Sequence, residues 1–479
     1  MKKETDMNTE NIKSAVIKAF EKSDDFALRD ICGGRYTVMY IKNLSSRTMI
    51  ARNIITPLTL VGGDIRDAVT NASATEIGDA ETAISDILNG AAIVMGGTPC
   101  RVFSVMTNNE EGRSQDEPQT ENVIRGAHDG FTENGDTNAM LIRRRIRSEH
   151  LKKEVFRIGN VTKTSVGMMY LDNVADAGIV NEVRRRLQNI RINGVIDSGY
   201  VEMYIQDGDH PVYPTVGNSE RPDKIAAKLL EGRVAIIVDG SPVVLTVPYL
   251  FCEGFQITED YAKSVWFGSF ERIMRFFASL ISVYLPGLYT AVVVFHPYVL
   301  DPVLVDSIES SRDGIGAPLM WEVITALLIF EVLREVGLRM PKAVGSAVGI
   351  VGSLILGDSA VEAGIITYPT LIVVAFAAVC NFIAPPYMNS NTVHRFAVMI
   401  ASGFFGLFGF FAALIVGSGM MCAKQSFGVP YLSPFAPIYP QGQKDFLLMS
   451  GIWDMKYIPT SIVGKKIARA DGKKSYTDV

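Results

Sequence analysis

The sequence predicts an α/β soluble N-terminal half of two similar subdomains, followed by an all-α polytopic membrane domain. Three long apolar runs without a charged residue carry this prediction: Phe276–Phe295, Ile365–Tyr387 and Phe396–Ala423. About twenty apolar residues, each rising ~1.5 Å, span the roughly 30 Å hydrocarbon core of a bilayer. No comparable run lies before residue 268. We expect a first subdomain over 1–148, a second over 149–262, a membrane domain of four to five apolar helices over 263–424 and a basic cytosolic tail over 425–479.

Composition predicts a cytosolic location for the soluble half. The net charge of −5 excludes a bulk electrostatic attraction to nucleic acid. The five cysteines are far apart and never in a C-x-x-C spacing, so we expect buried free thiols in a reducing compartment and no zinc site. The polar N-terminus lacks the apolar segment that a signal peptide needs, so nothing ahead of Phe276 is predicted to export the chain.

Two stretches of the soluble half resemble each other. Tyr36–Pro57 and Ser165–Leu187 each begin with a β-prone run, continue through a turn that contains Asn, and end in a helical pattern. Further along, a buried-strand run ends in Gly97–Pro99 or in Gly240–Pro242, and another apolar run follows. Gly, a small hydroxyl residue and Pro are typical of turns, so both segments predict strand–turn–strand. We therefore predict a duplicated α/β subdomain, with chance similarity of short segments as the alternative.

The soluble half lacks the common catalytic motifs. It has no G-x-x-x-x-G-K-[ST], no G-x-G-x-x-G after a strand, no G-x-S-x-G and no H-E-x-x-H. None of its histidines has a cysteine at a spacing that suits a metal. We therefore predict that the chain is not an enzyme and binds neither cofactor nor metal.

Two arginine clusters are candidate contact surfaces. One contains Arg143, Arg144, Arg145 and Arg147, and the other is Arg184–Arg186. They are either solvated helix faces, because adjacent residues on a helix point in different directions, or contacts to neighbouring subunits or anionic lipid headgroups. The first cluster is the candidate interface.

The first apolar run has the features of a membrane-spanning helix. Arg272 and Arg275 precede it on the predicted cytosolic side, in agreement with the positive-inside tendency. Pro286 and Gly287 in mid-run predict a kink, which is tolerated if a neighbouring helix shields the carbonyl that proline leaves free.

The segment 319–338 departs from the pattern of apolar runs. It has a helical period but carries Glu322, Glu331, Arg334 and Glu335, and the last three share one face. It either lies in the interface as an amphipathic helix or spans with its charged face toward a bundle interior or a pore.

A strip of small residues follows, and two acidic residues come after it. Ala343–Gly357 is uncharged and has glycines at helical spacing, which allow either close helix packing or a narrow conduit. Asp358 and Glu362 come next, and carboxylate rings repeated by symmetry select cations. The candidate pore or gating residues are Glu331, Gly345, Gly349, Gly352, Asp358 and Glu362.

The predicted topology contains a conflict. A basic tail after Lys424 predicts a cytosolic C-terminus, so the number of spans must be even. Four spans with an interfacial 319–338 helix satisfy this requirement. That arrangement nevertheless leaves Arg334, Arg339 and Lys342 outside, against the positive-inside rule.

Several motifs in order resemble the A subunit of the GerA-type spore germination receptors. The matching segments are EPQTE (117–121), VIRG (123–126), FTEN (131–134), LIRRRIR (141–147), DSGY (197–200), VDGSP (238–242), FEVLREVGLRMPKAVG (330–345), VEAGI (361–365) and SFGVPYLSPFAP (426–437). The resemblance covers nearly the whole chain and implies a multi-pass protein of the spore inner membrane, with its N-terminal half on the spore core side.

The resemblance also implies partners and an activity. An A subunit of this family works with a transporter-like B subunit and a lipoprotein C subunit, and A subunits form a homo-oligomer in membrane lipid whose helices make a nutrient-gated ion channel. The alternatives are an accessory channel subunit of the related AF type, from the stage V sporulation A system, and a scaffold that does not conduct. A secondary transporter ranks last, because no repeat relates the membrane segments.

Overall fold

The first half of the chain folds into two five-stranded antiparallel sheets, and the strands follow the same order in both sheets. The computed structural model describes residues 2–468 except 61, 63, 70–73, 98–99, 109–117, 119–120, 122–124, 210, 340–356, 441, 456 and 465–466. The first sheet has the order β1-β2-β4-β5-β3 and the second β6-β7-β9-β10-β8. Their strands are β1 Phe26–Ile31, β2 Tyr36–Ile41, β3 Ala74–Glu76, β4 Ala91–Gly96, β5 Arg101–Met106, β6 Leu151–Ile158, β7 Thr164–Leu171, β8 Gly217–Ser219, β9 Val234–Val238 and β10 Val244–Val247.

The segments that the sequence paired occupy equivalent strands of the two sheets. β2 and β7 are the second strands in order, and β4–β5 and β9–β10 are antiparallel neighbours. β4 and β9 are buried along their whole length, which explains their continuous apolar sequences. The domain boundaries themselves stay predictions.

Helices cover both faces of the sheets. Polar side chains cap several of them; Asp79, Asn134 and Asp176 each accept hydrogen bonds from backbone N–H groups of the first turn. The helices are α1 Lys2–Ala19, α2 Arg47–Ile50, the π-helix Ala51–Ile55, α3 Thr56–Leu60, α4 Ile65–Ala68, α5 Ala80–Leu88, α6 Gly135–Arg145, α7 Ala177–Asn189, α8 Ser198–Ile205 and α9 Pro222–Leu230.

One apolar core is common to both sheets. It combines α1, α5, α6 and α9 with inward-facing strand residues such as Met39 and Ile93 from the first sheet and Met169 and Ile237 from the second. The predicted boundary between residues 148 and 149 therefore falls within a continuous core. A separate cluster on the other face of each sheet completes the α/β half.

The second half is helical. Two of its described helices, Val265–Phe295 and Pro385–Ala423, are long and apolar enough to cross a membrane, and Tyr368–Asn381 is a shorter apolar helix. The elements are two 3₁₀ turns Phe251–Phe255 and Thr258–Ala262, then α10 Val265–Phe295, a 3₁₀ turn Pro297–Val299, α11 Pro302–Ser311, α12 Leu319–Arg339, α13 Tyr368–Asn381, a 3₁₀ turn Pro385–Tyr387 and α14 Met388–Ala423. The apolar run Ile365–Tyr387 thus contains a helix shorter than predicted.

The last apolar run does not form the single span that the sequence predicts. Gly406 breaks α14 with φ 60° and ψ −140°. Gly417 follows His394 by 23 residues, about 34 Å along a straight helix, yet a Cβ on Gly417 would lie 2.6 Å from the His394 ring. A Cβ on Gly409 would overlap the carbonyl oxygen of Ala401. α14 is therefore a helical hairpin that turns at Gly406.

The helices of the bundle run side by side in two opposite directions. α10 and the first half of α14 both run away from the α/β half, because Asn391 contacts Ser279 near one end and Gly406 lies against Phe295 at the other. α12 runs back, with Met320 beside Gly403 and Glu331 beside Thr392. These contacts favour the second alternative for 319–338, in which the segment runs along the bundle.

The tail returns to the α/β half instead of forming a separate unit. Phe427, Val429, Phe446, Ile458 and Ile462 join the apolar cluster on the outer face of the second sheet. Its elements are β11 Gln425–Ser426, β12 Val429–Pro430, 3₁₀ turns Gly442–Lys444 and Ile452–Asp454, and α15 Thr460–Val463. Most of the predicted basic residues of the tail lie outside the described residues.

The cysteines are free thiols, but not all are buried. Cys252 and Cys380 are buried and Cys100 is half-buried, whereas Cys32 and Cys422 are exposed. The prediction of buried thiols is therefore wrong for the last two.

Candidate functional site

Three of the sequence motifs meet beside the second sheet, near the start of α6. The N–H of Gly240 donates to the carbonyl of Glu133 at 2.7 Å, which ties VDGSP to FTEN. Asn134 of FTEN caps α6. The Ser241 hydroxyl donates to the Asp197 carboxylate at 2.6 Å and so ties VDGSP to DSGY. These contacts hold α6 and the start of α8 against the second sheet, which is a structural role.

The candidate interface arginines have different environments. Arg143 is 1% exposed and donates two hydrogen bonds, at 2.7 and 2.9 Å, to the carboxylate of Asp25. It links α6 to the start of the first sheet and takes no part in an exposed surface. Arg145 is half-buried in an ion pair, and Arg144 and Arg147 are exposed. Contact of these three with a neighbouring subunit stays a prediction.

The second arginine cluster is an ion-paired helix face. Arg184 pairs with Glu154 at 2.6 Å, and Arg185 and Arg186 both pair with Glu182. The hydrogen bond from Arg185, aided by Arg186, lowers the pKa of Glu182 to about 2 although partial burial opposes this. These contacts favour the interpretation as a solvated face.

An aromatic cluster joins the α/β half to the helices. We call it the junction cluster; its members are Tyr213, Tyr249, Phe251, Phe255, Phe276, Tyr387 and Tyr431. The Tyr387 hydroxyl donates to the carbonyl of Phe251 at 2.6 Å, and a Cβ on Gly254 would overlap the Tyr387 ring. The Tyr213 hydroxyl lies 3.1 Å from Nδ1 of His394 on α14. The two halves therefore meet through tightly packed side chains.

A buried charge cluster lies at the base of α10. Arg272 donates to Asp260 at 2.8 Å and to Asp445 of the tail at 2.6 Å, and Arg275 also binds Asp260. Arg272 and Asp260 are almost fully buried. The two arginines that were predicted to mark the cytosolic end of the span thus also connect the α/β half, the first helix and the tail.

A second buried charge network lies beneath the second sheet. The Glu253 carboxylate pairs with Arg233 at 2.8 Å and with Lys228 at 2.7 Å. Burial raises the pKa of Glu253, but the charges of Arg233 and Lys228 outweigh it and hold the pKa below its usual range. Burial raises the pKa of the neighbouring Cys252 thiol to about 12, so this cysteine is uncharged.

Arg395 shields the carbonyl that Pro286 leaves free. Proline has no N–H, so the carbonyl of Ser282, four residues earlier, loses its helical hydrogen bond. Nε of Arg395 donates to this oxygen at 2.6 Å, and the side chain of Arg395 is fully buried. A Cβ on Gly287 would lie 2.8 Å from Val398, so the two helices are in close contact here. A neighbouring helix therefore shields the carbonyl that Pro286 leaves free, which is the condition that the sequence set.

Charged groups meet inside the bundle around Arg395. Glu331 pairs with Arg334 at 2.8 Å, and Nη1 of Arg395 lies 3.7 Å from the Glu331 carboxylate. The Thr392 hydroxyl donates to Glu331 at 3.2 Å. We call Glu331, Arg334 and Arg395 the bundle charge cluster. Charges in such a place mark ion or proton pathways, or switches between conformations.

A second carboxylate is buried at the far end of the bundle. One Glu322 oxygen accepts hydrogen bonds from the N–H and hydroxyl of Thr367, at 2.8 and 2.6 Å. Its other oxygen lies 3.7 Å from Nε of Arg312. α12 therefore directs two carboxylates, Glu322 and Glu331, toward other helices of the bundle at two depths.

The remaining candidate pore residues lie apart from the bundle charge cluster or outside the described residues. Asp358 and Glu362 are exposed on a helical segment at 357–362, near the end of the bundle that lies away from the α/β half. Gly345, Gly349 and Gly352 fall in 340–356, outside the described residues. Among the described residues, no group of three or more His, Cys, Asp or Glu side chains is arranged to hold a metal ion.

Sequence reasoning missed Arg395 and His394. Both lie immediately before Phe396, where the uncharged run begins, so a search for uncharged runs ends at these two residues. One signal could have found them: Arg395 adjoins Phe396–Ala423, an uncharged run that is already longer than one membrane span needs. Asp445 carries no comparable signal, because its pairing with Arg272 spans 173 residues of chain.

Comparisons with known proteins cover most of the chain. The family described as Bacillus/Clostridium GerA spore germination protein matches residues 14–461. Spore germination protein KA of Bacillus subtilis (strain 168) is 34% identical over 93% of this chain and 85% of its own length. The membrane protein YfkQ of the same organism is 33% identical over 97% and 90%. The crystal structure of the N-terminal domain of the A subunit of the Bacillus megaterium germinant receptor GerK3 is 28% identical over 50% of this chain and 94% of that domain, with a TM-score of 0.37.

Proposed function

The chain belongs to the GerA family of spore germination proteins, and we propose that it is the A subunit of a nutrient germinant receptor in the spore inner membrane. In this proposal, A subunits oligomerise and their helices form an ion channel that a nutrient opens. A transporter-like B subunit and a lipoprotein C subunit complete the receptor. The α/β half, with its shared core and ion-paired surface, positions the channel and contacts partners.

The bundle charge cluster is the observation that supports conduction best. A helix that serves only as an anchor gains nothing from a carboxylate and two guanidinium groups in its bundle, because each charge at mid-bilayer costs about 2.5 kcal/mol or more. Glu331 and Glu322 lie at two depths of one helix that runs along the bundle. A non-conducting scaffold gives no reason for this arrangement.

We further propose that the α/β half faces the spore core. Arg272 and Arg275 at the base of α10 lie on the side of the α/β half. Because α12 runs back along the bundle, its Arg334 and Arg339 end lies on this side too, near the start of α14. The positive-inside rule then places this side in the cytosol and removes the conflict that an interfacial helix creates.

Potassium release tests the channel proposal. Asp358→Asn together with Glu362→Gln removes two carboxylates near the far end of the bundle, and we expect slower potassium release from spores after nutrient addition, because acidic rings attract cations. Glu309→Gln, an exposed change on α11, is the matched control and should release potassium normally. Normal kinetics in the double variant, at equal protein level, would remove both carboxylates from the pathway.

We also propose that the chain has no enzymatic activity. Purified protein should show no saturable hydrolysis of ATP or GTP above the level of a mock preparation. A robust nucleotide hydrolysis that follows the protein through purification would contradict this.

A further inference from the structure

The bundle charge cluster carries an excess of positive charge. It contains two guanidinium groups and one carboxylate, and in the described part of the chain no second carboxylate lies within 4.0 Å of either guanidinium. The segment 340–356 contains Lys342 but no Asp or Glu, so it adds no negative charge. An unpaired charge inside an apolar bundle is strongly unfavourable, so a counter-charge is expected.

The polar atoms around Arg395 also lack partners. Nη1 and Nη2 of Arg395 are buried without a hydrogen bond to any described residue, and so is Nε of Arg334. Buried donors in native proteins are almost always satisfied by protein, water or a bound ion. These orphan donors therefore indicate that a water molecule or an ion pairs with them.

The orientation of Arg395 is fixed by its other nitrogen. Nε donates to the freed carbonyl of Ser282 at 2.6 Å, so the planar fork of Nη1 and Nη2 is held in one direction. Nη1 lies 3.7 Å from Glu331, too far for a hydrogen bond. A preorganised guanidinium fork with both outer nitrogens unused is suited to bind an anion.

We propose that the Nη1 and Nη2 fork of Arg395, supported by the charge of Arg334, binds one small monovalent inorganic anion inside the helix bundle. A charge of −1 brings the cluster to neutrality, whereas a divalent anion leaves a net negative charge and loses more hydration energy on entry. A halide such as chloride fits this requirement. The site is independent of whether the bundle conducts cations.

Chloride NMR tests this site directly. The full-length protein in nanodiscs of zwitterionic lipid is titrated with potassium chloride at constant ionic strength, with gluconate as the replacement, and the ³⁵Cl line width is measured. We expect an excess broadening that saturates with chloride and disappears in Arg395→Gln. Arg339→Gln, at an exposed position on α12, should keep it. Absence of saturable broadening in the unmodified protein would overturn the proposal and leave water as the occupant.

A second variant decides the question if Arg395→Gln does not fold. Glu331→Gln removes the carboxylate that competes for Arg395, so the half-saturating chloride concentration should fall by about tenfold, since a neighbouring unit charge contributes at least that much at close range. An unchanged or higher half-saturating concentration in Glu331→Gln would refute the site. Neither outcome bears on the channel proposal, which potassium release tests separately.

Discussion

Arg143, one residue of a cluster of arginines, stabilises the fold from a buried position. It is buried and makes two hydrogen bonds to Asp25 across 118 residues of chain. Because removal of one partner leaves the other charge buried, we expect Arg143→Gln to lower the free energy of unfolding by about 3–5 kcal/mol. Arg185→Gln removes an exposed pair that solvent screens, so its loss of stability should be much smaller. Denaturant unfolding followed by circular dichroism compares the two, and equal losses would refute the distinction.

Glu253 gives a pH dependence with a definite sign. Its pKa in the folded protein is depressed, so its contribution to stability is complete above the unfolded pKa of about 4.3 and is lost as pH falls through the folded value. The loss of stability in Glu253→Gln should therefore be largest near neutral pH and shrink below about pH 4. Thermal unfolding of both proteins between neutral and acidic pH measures this, and a difference that grows on acidification would contradict it.

At the scale of elements, the hairpin of α14 depends on close contact between its halves. Gly409 lies against the backbone of Ala401, whereas Gly419 on the same helix has open space around it. We expect Gly409→Ala to lower the thermal midpoint of the protein in nanodiscs. Gly419→Ala should leave the midpoint unchanged or raise it slightly, because alanine favours a helix by about 1 kcal/mol over glycine.

A distance measurement checks the hairpin independently. Val393 and Met420 are exposed, and residues 394 and 420 line one groove between the two halves of α14. Spin labels at 393 and 420 should lie far closer than the roughly 40 Å that 27 residues of straight helix would place between them. A distance near 40 Å would show that α14 is one continuous span.

The sequence predicted some elements and not others, for physical reasons. The buried strands and the carbonyl that Pro286 leaves free can be predicted from the sequence. Both depend on residues within a few positions: a strand buried on both faces has a continuous apolar sequence, and proline has no N–H for the carbonyl four residues earlier. The turn at Gly406 cannot be predicted in this way, since the run Phe396–Ala423 contains five glycines and nothing local distinguishes the one that lies against Phe295 of α10. The sequence also cannot predict the pairing of Arg143 with Asp25, because a run of arginines does not show which of them faces the protein interior.

At the scale of the whole molecule, the return of the tail was not predictable. Its apolar residues, such as Phe427 and Ile462, are spread without a regular period, so they give no signal of the surface that they cover. They complete the core of the second sheet. Residues 1–262 without the tail therefore leave part of that core open.

This packing makes a prediction about fragments. Residues 1–262 linked to 425–468 should unfold at a higher temperature than residues 1–262 alone, because burial of the tail contributes about 25 cal/mol per Å² of apolar surface. Differential scanning calorimetry of the two fragments measures the shift. Equal midpoints would mean that the tail adds no stability to the second sheet.

The central claim is that charged groups in the helix bundle lie on the path of the conducted ion. Potassium release after nutrient addition, from spores with Glu331→Gln or Glu335→Gln, tests it most directly. The two residues are one turn apart on α12, but Glu331 faces Arg395 in the bundle and Glu335 is exposed. We predict that the rate of potassium release falls by about tenfold or more in Glu331→Gln and is normal in Glu335→Gln. The reason is that a unit charge at close range contributes up to about 4 kcal/mol. Equal, normal release in both, at equal protein levels, would contradict the account.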